Sequence, residues 1–257
     1  MSAARSSFPF DLAASVATTF LRGGMGIATT PAAHRPALMF ELYEFEGCPY
    51  CRLVREALTE LDLDALVYPC PRGGTRYRPR VVELGGRMQF PFFVDPNTGR
   101  RLYESADIIT YLFETYGPGR VPLHWQWIGL QQVGSAVAGL LRSSAGRRAP
   151  ARPADAPERP APALPLELYG FESSPYARLV RERLCELELP YILRACGRAA
   201  PRDWLPPGVR DALRLEPGSV TVNRQALEAR AGRISLPYLV DPNTGAEMAE
   251  SQRILEY

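Results

Sequence analysis

Residues 41–63 read ELYEFEGCPYCRLVREALTELDL and residues 167–189 read ELYGFESSPYARLVRERLCELEL, two stretches 126 positions apart that agree at 16 of 23 places without a gap. Phe40 to Phe45 alternates apolar and polar as a strand does, and Cys48-Pro49 opens a segment whose Leu53, Val54, Ala57, Leu58 and Leu61 share one helical face. Proline suits the first helical position, where its missing N–H has no partner to lose. Strand then helix, repeated, is the unit from which the rest of the chain is read.

Downstream, PFFVDPNTG at 91–99 matches PYLVDPNTG at 237–245, and Glu104-Ser105 matches Glu250-Ser251, now 146 positions apart. The second copy therefore carries a 20-residue insertion between its matching blocks. Val67 begins a second strand, Phe90 to Val94 is a third, Asp95 to Gly99 is its turn and Arg101 to Tyr103 returns as a fourth. Ser105 is expected to cap a helix from Ala106 to Tyr116, ended by Gly117-Pro118. A βαβ half followed by a ββα half is the thioredoxin-like plan. The expected fold is α/β, with two such domains in tandem joined by a helix and a Pro/Ala/Arg-rich linker.

A weaker echo precedes each unit: SVATTFLR at 15–22 resembles SAVAGLLR at 135–142, as if the repeat included a leading helix. The expected organisation is 1–39 for an N-terminal helix and linker, 40–117 for the first domain, 118–165 for a helix and Pro-rich linker, and 166–257 for the second domain. Residues 143–165 read as a semi-extended linker.

The 257 residues suit two domains better than one. All 30 basic residues are arginine, and 28 acids leave a formal charge of +2, so no global field recruits nucleic acid. The best N-terminal apolar stretch, Phe8 to Leu21, is too short to span a bilayer, and with one arginine before it and Asp11 inside it the stretch is a poor secretory signal. Five cysteines are an odd number that fits a reducing compartment, and a soluble cytoplasmic protein is expected.

Cys48-Pro49-Tyr50-Cys51 lies between strand and helix, so the first sulfur meets the positive end of the helix and its free N–H groups. Such a site lowers a thiol pKa and populates the attacking thiolate, while Cys51 can resolve a mixed disulfide. Glu44 and Glu46 oppose that activation. Half of a zinc site is the alternative, but Cys70, Cys185, Cys196, His34 and His124 supply no second paired motif, and no metal is expected.

Phe90-Pro91 and Leu236-Pro237 are expected to be cis, which would turn the preceding backbone toward an extended peptide ligand. Glu104-Ser105 offers a hydroxyl and N–H groups for a carboxylate. Arg72, Arg76, Arg78 and Arg80 form a run without acids, expected to be mostly solvated with one or two members reaching the cleft.

The segments LYEFEGCPYCRLVREAL and QFPFFVDPNTG and the ES dipeptide resemble the glutaredoxin-like N-terminal domain of glutathione S-transferases and the soluble part of the type 2 prostaglandin E synthase family. The resemblance covers about 41–117 and again 166–257. The tandem arrangement resembles bacterial and plant proteins with two such domains and no all-helical transferase C-terminal domain. It implies that Cys48 is the nucleophile and Cys51 the resolving thiol. It also implies that Phe90 with Pro91 binds the cysteinyl part of glutathione, and that Glu104 with Ser105 binds the γ-glutamyl end. Tyr50 and Arg72 complete the expected glutathione-binding set. In the second copy Ser174 and Ala177 replace the cysteines while Leu236, Pro237, Glu250 and Ser251 persist, so that domain is expected to be redox-inactive.

The leading expectation is a glutathione-linked thiol-disulfide oxidoreductase, with glutathione as co-substrate and a disulfide or glutathionylated protein as partner. The alternative is a tandem module that binds glutathione, a thiol or a peptide without turnover. Transferase conjugation and iron-sulfur ligation through Cys48 are weaker readings, the first because no segment supplies a helical electrophile-binding domain.

Overall fold

The computed structural model describes residues 2–142, 144–151, 160–205, 209, 212–213 and 221–257. Parts of the Pro-rich linker (143 and 152–159) and of the insertion (206–208, 210–211 and 214–220) lie outside the described residues.

A leading helix, α1 (Ser2–Leu21), is followed by β1 (Phe40–Glu44), α2 (Pro49–Glu60), β2 (Ala65–Pro69), α3 (Arg78–Gly85), β3 (Phe92–Asp95), β4 (Arg100–Tyr103) and α4 (Ser105–Thr115). After α5 (Leu123–Gln126) and α6 (Ile128–Leu140), the pattern recurs. Its elements are β5 (Leu166–Gly170), α7 (Pro175–Glu186), β6 (Tyr191–Ala195), α8 (Val222–Ala231), β7 (Tyr238–Asp241), β8 (Ala246–Ala249) and α9 (Ser251–Glu256). A 3-10 turn, Pro201–Trp204, follows β6, so the described part of the insertion falls between β6 and α8. The thioredoxin-like plan thus occurs twice, as the sequence implied. No helix among the described residues is long and apolar enough to cross a membrane.

The helix between the second and third strands is an addition to the expected order in both copies. In RPRVVELG, Pro79 sits in the first turn and Gly86 closes the helix at φ 78°, as Gly232 closes α8 at φ 70°. Strand ends differ from expectation by one or two residues.

The eight strands form one sheet in the order β4-β3-β1-β2-β6-β5-β7-β8. Within each half the first two strands are parallel, and the last two are the antiparallel hairpin added beside the first. The halves join through an antiparallel β2–β6 seam with register Ala65↔Leu193, Leu66↔Ile192 and Val67↔Tyr191. Each half alone would present an unpaired edge strand there, and pairing the two edges satisfies both rows of backbone groups.

The leading helices cross over. α1 packs on α7 of the second half, and α6 packs on α2 of the first. Ser15 Oγ donates to Pro175 O at 2.9 Å and Ser135 Oγ donates to Pro49 O at 2.8 Å, the same bond made twice. The 15–22 and 135–142 echo is therefore a structural repeat. Behind the sheet, the helical face Leu53, Val54, Ala57, Leu58 and Leu61 is buried in a core that also takes in Phe40, Phe93, Ile108 and Leu112.

The seam is lined by buried ions. Arg55 pairs with Glu172 at 2.8 Å and with Glu44 and Glu46; its equivalent Arg181 pairs with Glu46 at 3.1 Å and Glu172 at 3.0 Å. The crossing helices add Arg22–Glu56 at 2.7 Å and Arg142–Glu182 at 2.5 Å. Every member is 9% exposed or less, and burial of these groups is tolerated because each has an oppositely charged partner type within reach.

Candidate functional site

Strands β1 and β2 are parallel, and β4 runs the same way because two antiparallel steps separate it from β1. Their C-terminal ends therefore lie along one edge of the sheet. That edge delivers Cys48 after β1, Arg72 after β2 and Ser105 after β4, with the start of β3 and its preceding Phe90-Pro91 between them. The topology gathers the residues that the sequence singled out, with the thiol in the middle.

Cys48 is the N-cap of α2, and its Sγ accepts the N–H of Cys51 at 3.3 Å. Burial pushes the Cys48 thiol up, but hydrogen bonds from the Cys51 thiol, the Cys51 N–H and the Tyr50 N–H outweigh it and hold the pKa below the usual thiol value, against the nearby Glu44 charge. Cys51 is driven well above that value, first by burial and then by its bond and charge relation to Cys48. Exposure falls in the same order, 3% for Cys48 and 0% for Cys51. The two thiols are thus displaced in opposite directions, Cys48 downward and Cys51 upward. The other cysteines, Cys70, Cys185 and Cys196, are buried and pushed up by that burial.

Phe90-Pro91 and Leu236-Pro237 are both cis, as expected. Neither the N–H nor the C=O of Phe90 has a backbone partner among the described residues. Its ring is covered by Phe45 at 6.0 Å and by the Arg78 guanidinium at 5.0 Å. Tyr50, beside the thiol, is 46% exposed.

Ser105 departs from expectation. α4 begins at Ser105 itself, its N-cap is Glu104 at φ 62°, and no side chain caps it. One residue inside the helix, the hydroxyl is not placed to receive the first free N–H groups, and the buried Ser105 Oγ has no hydrogen-bond partner among the described residues. Glu104 is exposed and accepts a hydrogen bond from Gln89 Nε2. The second half repeats the backbone, with Glu250 at φ 73° before Ser251.

The arginine run divides. Arg72 and Arg80 are exposed; Arg76 is half-buried and reaches across the seam, donating through its N–H and guanidinium to Glu188 at 3.0 and 2.9 Å. Arg78 donates to Pro71 O at 2.8 Å and covers Phe90. The run is therefore less solvated than expected, because half of it is drawn in by a partner across the seam or by a ring.

In the second half, Ser174 holds the N-cap place of Cys48, and its Oγ accepts the Ala177 N–H at 3.2 Å. The position survives as a cap without a thiol. Among the described residues no three His, Cys, Asp or Glu side chains are grouped as a metal ion would need.

These features define a protein of two thioredoxin-like halves fused through their edges, with a polarised dithiol in one half. A family model described as glutathione S-transferase, N-terminal domain, matches residues 42–120 and again 168–257, and the chain belongs to that family. Two solved structures of Bombyx mori glutathione transferase BmGSTD1 are similar, one in complex with GTT at 29% identity and TM-score 0.30, the other at 30% and 0.28. Each alignment covers 33% of this chain and 39% of the transferase chain, so the matched region spans about two fifths of those relatives. No curated protein matches the chain.

Proposed function

We propose that the chain is a glutathione-linked thiol-disulfide oxidoreductase working through Cys48 and Cys51. The observation that carries this reading is the opposite displacement of the two thiols, with Cys48 held low at a helix N-cap and Cys51 held high behind it. The Cys48 thiolate attacks one sulfur of a disulfide, forming a mixed disulfide and releasing the other sulfur as a thiolate, which takes up a proton. Cys51 then gives up its proton and attacks Cys48 Sγ, releasing the second thiol and leaving a Cys48–Cys51 disulfide. Two glutathione molecules restore the dithiol and leave as oxidised glutathione. With a glutathionylated substrate, free glutathione resolves the mixed disulfide directly.

In this reading the backbone of Phe90 beside Pro91 pairs with the cysteinyl residue, and Ser105 Oγ and the α4 N-terminus take the γ-glutamyl carboxylate. Tyr50 flanks the peptide, and Arg72 meets a carboxylate at the opposite end. The similarity of the CPYC block to the soluble part of the type 2 prostaglandin E synthase family supports the same glutathione site. The second half keeps Leu236, Pro237, Glu250, Ser251 and Ser174 as a frame without a nucleophile, so it is redox-inactive.

A second reading, a binding module without turnover, is favoured by the near-complete burial of Cys48. Intact mass measurement after exposure to oxidised glutathione separates the two. An adduct mapped to Cys48 is expected, and binding of glutathione with no adduct would replace the oxidoreductase by the binding module.

A further inference from the structure

On the sheet edge that also carries Cys48, the chain builds a cavity of about 390 Å³ lined by Arg72, Ser144, Arg147 and Arg148. Two of these arginines come from the strap that follows α6 and crosses to the first half. The strap is zipped to the segment after β2: Arg72 N–H donates to Arg147 O at 2.8 Å, and Ala149 N–H donates to Arg72 O at 3.0 Å. It also lies against the residue preceding the thiol, with Gly47 N–H donating to Gly146 O at 3.3 Å. A Cβ at Gly47 would come within 3.1 Å of Ala145 O and 3.2 Å of Arg147 Cβ, so the strap packs closely on this residue.

Among the described residues, no carboxylate pairs with Arg72, Arg147 or Arg148. Three exposed guanidiniums on a fixed backbone around one cavity exceed what one carboxylate needs, and their planar forks match the oxygens of a phosphate group. A merely solvated basic surface would have no reason to differ between the two halves. The second half has the same strap, with Thr29 N–H donating to Arg198 O at 3.0 Å and Arg198 N–H to Ile27 O at 2.7 Å. There the places of Arg147 and Arg148 are taken by Ile27 and Ala28. Arg198, the counterpart of Arg72, lies over the Phe171 and Trp204 rings at 5.8 and 5.1 Å. Among the described residues, the three-arginine lining thus belongs to the half that carries the thiols and is not repeated at the equivalent positions of the other.

We propose that Arg72, Arg147 and Arg148 bind a phosphate-type oxyanion carried by the disulfide substrate, so that the enzyme favours disulfides of phosphate-bearing thiols. The substrate preference rests on the oxidoreductase reading of Cys48; the anion site does not.

The test titrates inorganic pyrophosphate into the full chain by calorimetry. Saturable binding is expected, weakened by about ten-fold or more in Arg147→Ala/Arg148→Ala, while the charge-retaining Arg148→Lys keeps part of it. These side chains are exposed, and circular dichroism of each variant verifies the fold. No binding by the folded wild type, or equal binding by the folded double variant, overturns the site. In turnover, the mixed disulfide of glutathione with coenzyme A should show a lower KM than hydroxyethyl disulfide, and the double variant should bring that ratio toward one. A ratio already near one in wild type overturns the substrate preference. Pyrophosphate binding without any turnover would leave the anion site standing and remove the oxidoreductase reading instead.

Discussion

Leu66 lies directly opposite Ile192 in the β2–β6 seam, and the two are the same position of the repeat, 126 residues apart. A two-fold relation therefore passes between them. Central contacts between the halves come in pairs: Arg55 on Glu172 and Arg181 on Glu46, Gly26 O on Ser173 N–H and Gly146 O on Gly47 N–H. This is the geometry of an isologous dimer interface inside one chain.

Because the halves share one sheet and exchange their leading helices, they are expected to unfold together. Trp125 packs on the first half, where its Nε1 donates to Glu60 at 2.8 Å, and Trp204 lies on the second under Arg198. Tryptophan fluorescence and far-UV circular dichroism should trace one coincident guanidinium transition. Two separated transitions would mean that the seam is not a cooperative interface.

Arg55→Leu strands Glu44, Glu46 and Glu172 with fewer counter-charges and is expected to cost about 3–5 kcal/mol in urea unfolding. Arg181→Leu should cost a similar amount, since it makes the reciprocal contacts. Arg55→Leu/Glu172→Leu should recover part of the loss, because it removes both members of a pair. Additive losses in that double variant would argue against coupling across the seam.

The repeat, the strand order, the helices that follow the first and fourth strands and the cis prolines were legible, because each rests on local pattern; the helix between the second and third strands was not. The seam was not. Whether β2 pairs with solvent or with another strand is decided by the surface of the partner, and the alternation of ALVYP is the same in either case. A signal was nevertheless present: Glu46, Arg52, Arg55 and Glu56 recur as Glu172, Arg178, Arg181 and Glu182, charged positions kept along with the apolar ones. Charges repeated on α2 and α7, whose apolar faces were already accounted for, marked a second buried face. The place of Ser105 was not legible either, because the ES dipeptide fits a helix start shifted by one residue equally well.

Stability should depend on pH through that ring. Burial raises Glu44 to about 7, together with the Glu46 and Glu172 charges and against Arg55 and Arg181. The folded chain thus holds a proton that the unfolded chain releases above about 4.5, so the contribution of Glu44 is full below that pH and lost as pH rises to about 7. Glu172 is also opposed by burial, but Arg181 and Arg55 bring it down to about 2, so its contribution is present above about 4.5 and lost only as pH falls toward 2. Burial lifts Asp62 to about 6 against Arg35, which adds to the decline on the alkaline side. Melting temperature should therefore fall between about pH 4.5 and 7. Glu44→Gln should flatten part of that fall, and an unchanged slope would remove Glu44 as its source.

Ser105→Ala separates ligand binding from helix capping. Loss of an N-cap hydroxyl costs about 1 kcal/mol. Ser105 Oγ has no partner to lose among the described residues, so the melting temperature of the ligand-free chain should not fall. Affinity for glutathione should drop by roughly ten-fold if the hydroxyl meets a carboxylate. A destabilised variant with unchanged affinity would make Ser105 a structural residue.

The two thiols should fail differently. Cys48→Ser removes the sulfur held low by the helix N-terminus and should abolish both the glutathione adduct and the reduction of hydroxyethyl disulfide. Cys51→Ser removes only the sulfur held high, and free glutathione can still resolve a mixed disulfide at Cys48. That variant should keep activity toward glutathionylated substrates and lose it toward protein disulfides that need both thiols. It also removes the Cys51 thiol that helps lower Cys48, but the hydroxyl that replaces it can donate to the same sulfur, and the backbone N–H at 3.3 Å remains. The pH at which iodoacetamide trapping of Cys48 is half-maximal should therefore move up only slightly in Cys51→Ser. Cys51→Ala has neither thiol nor hydroxyl to donate, so its midpoint should move up further. If Cys51→Ser is instead the inactive variant, Cys51 is the nucleophile, and the polarisation of the pair is the reverse of the one that this geometry produces.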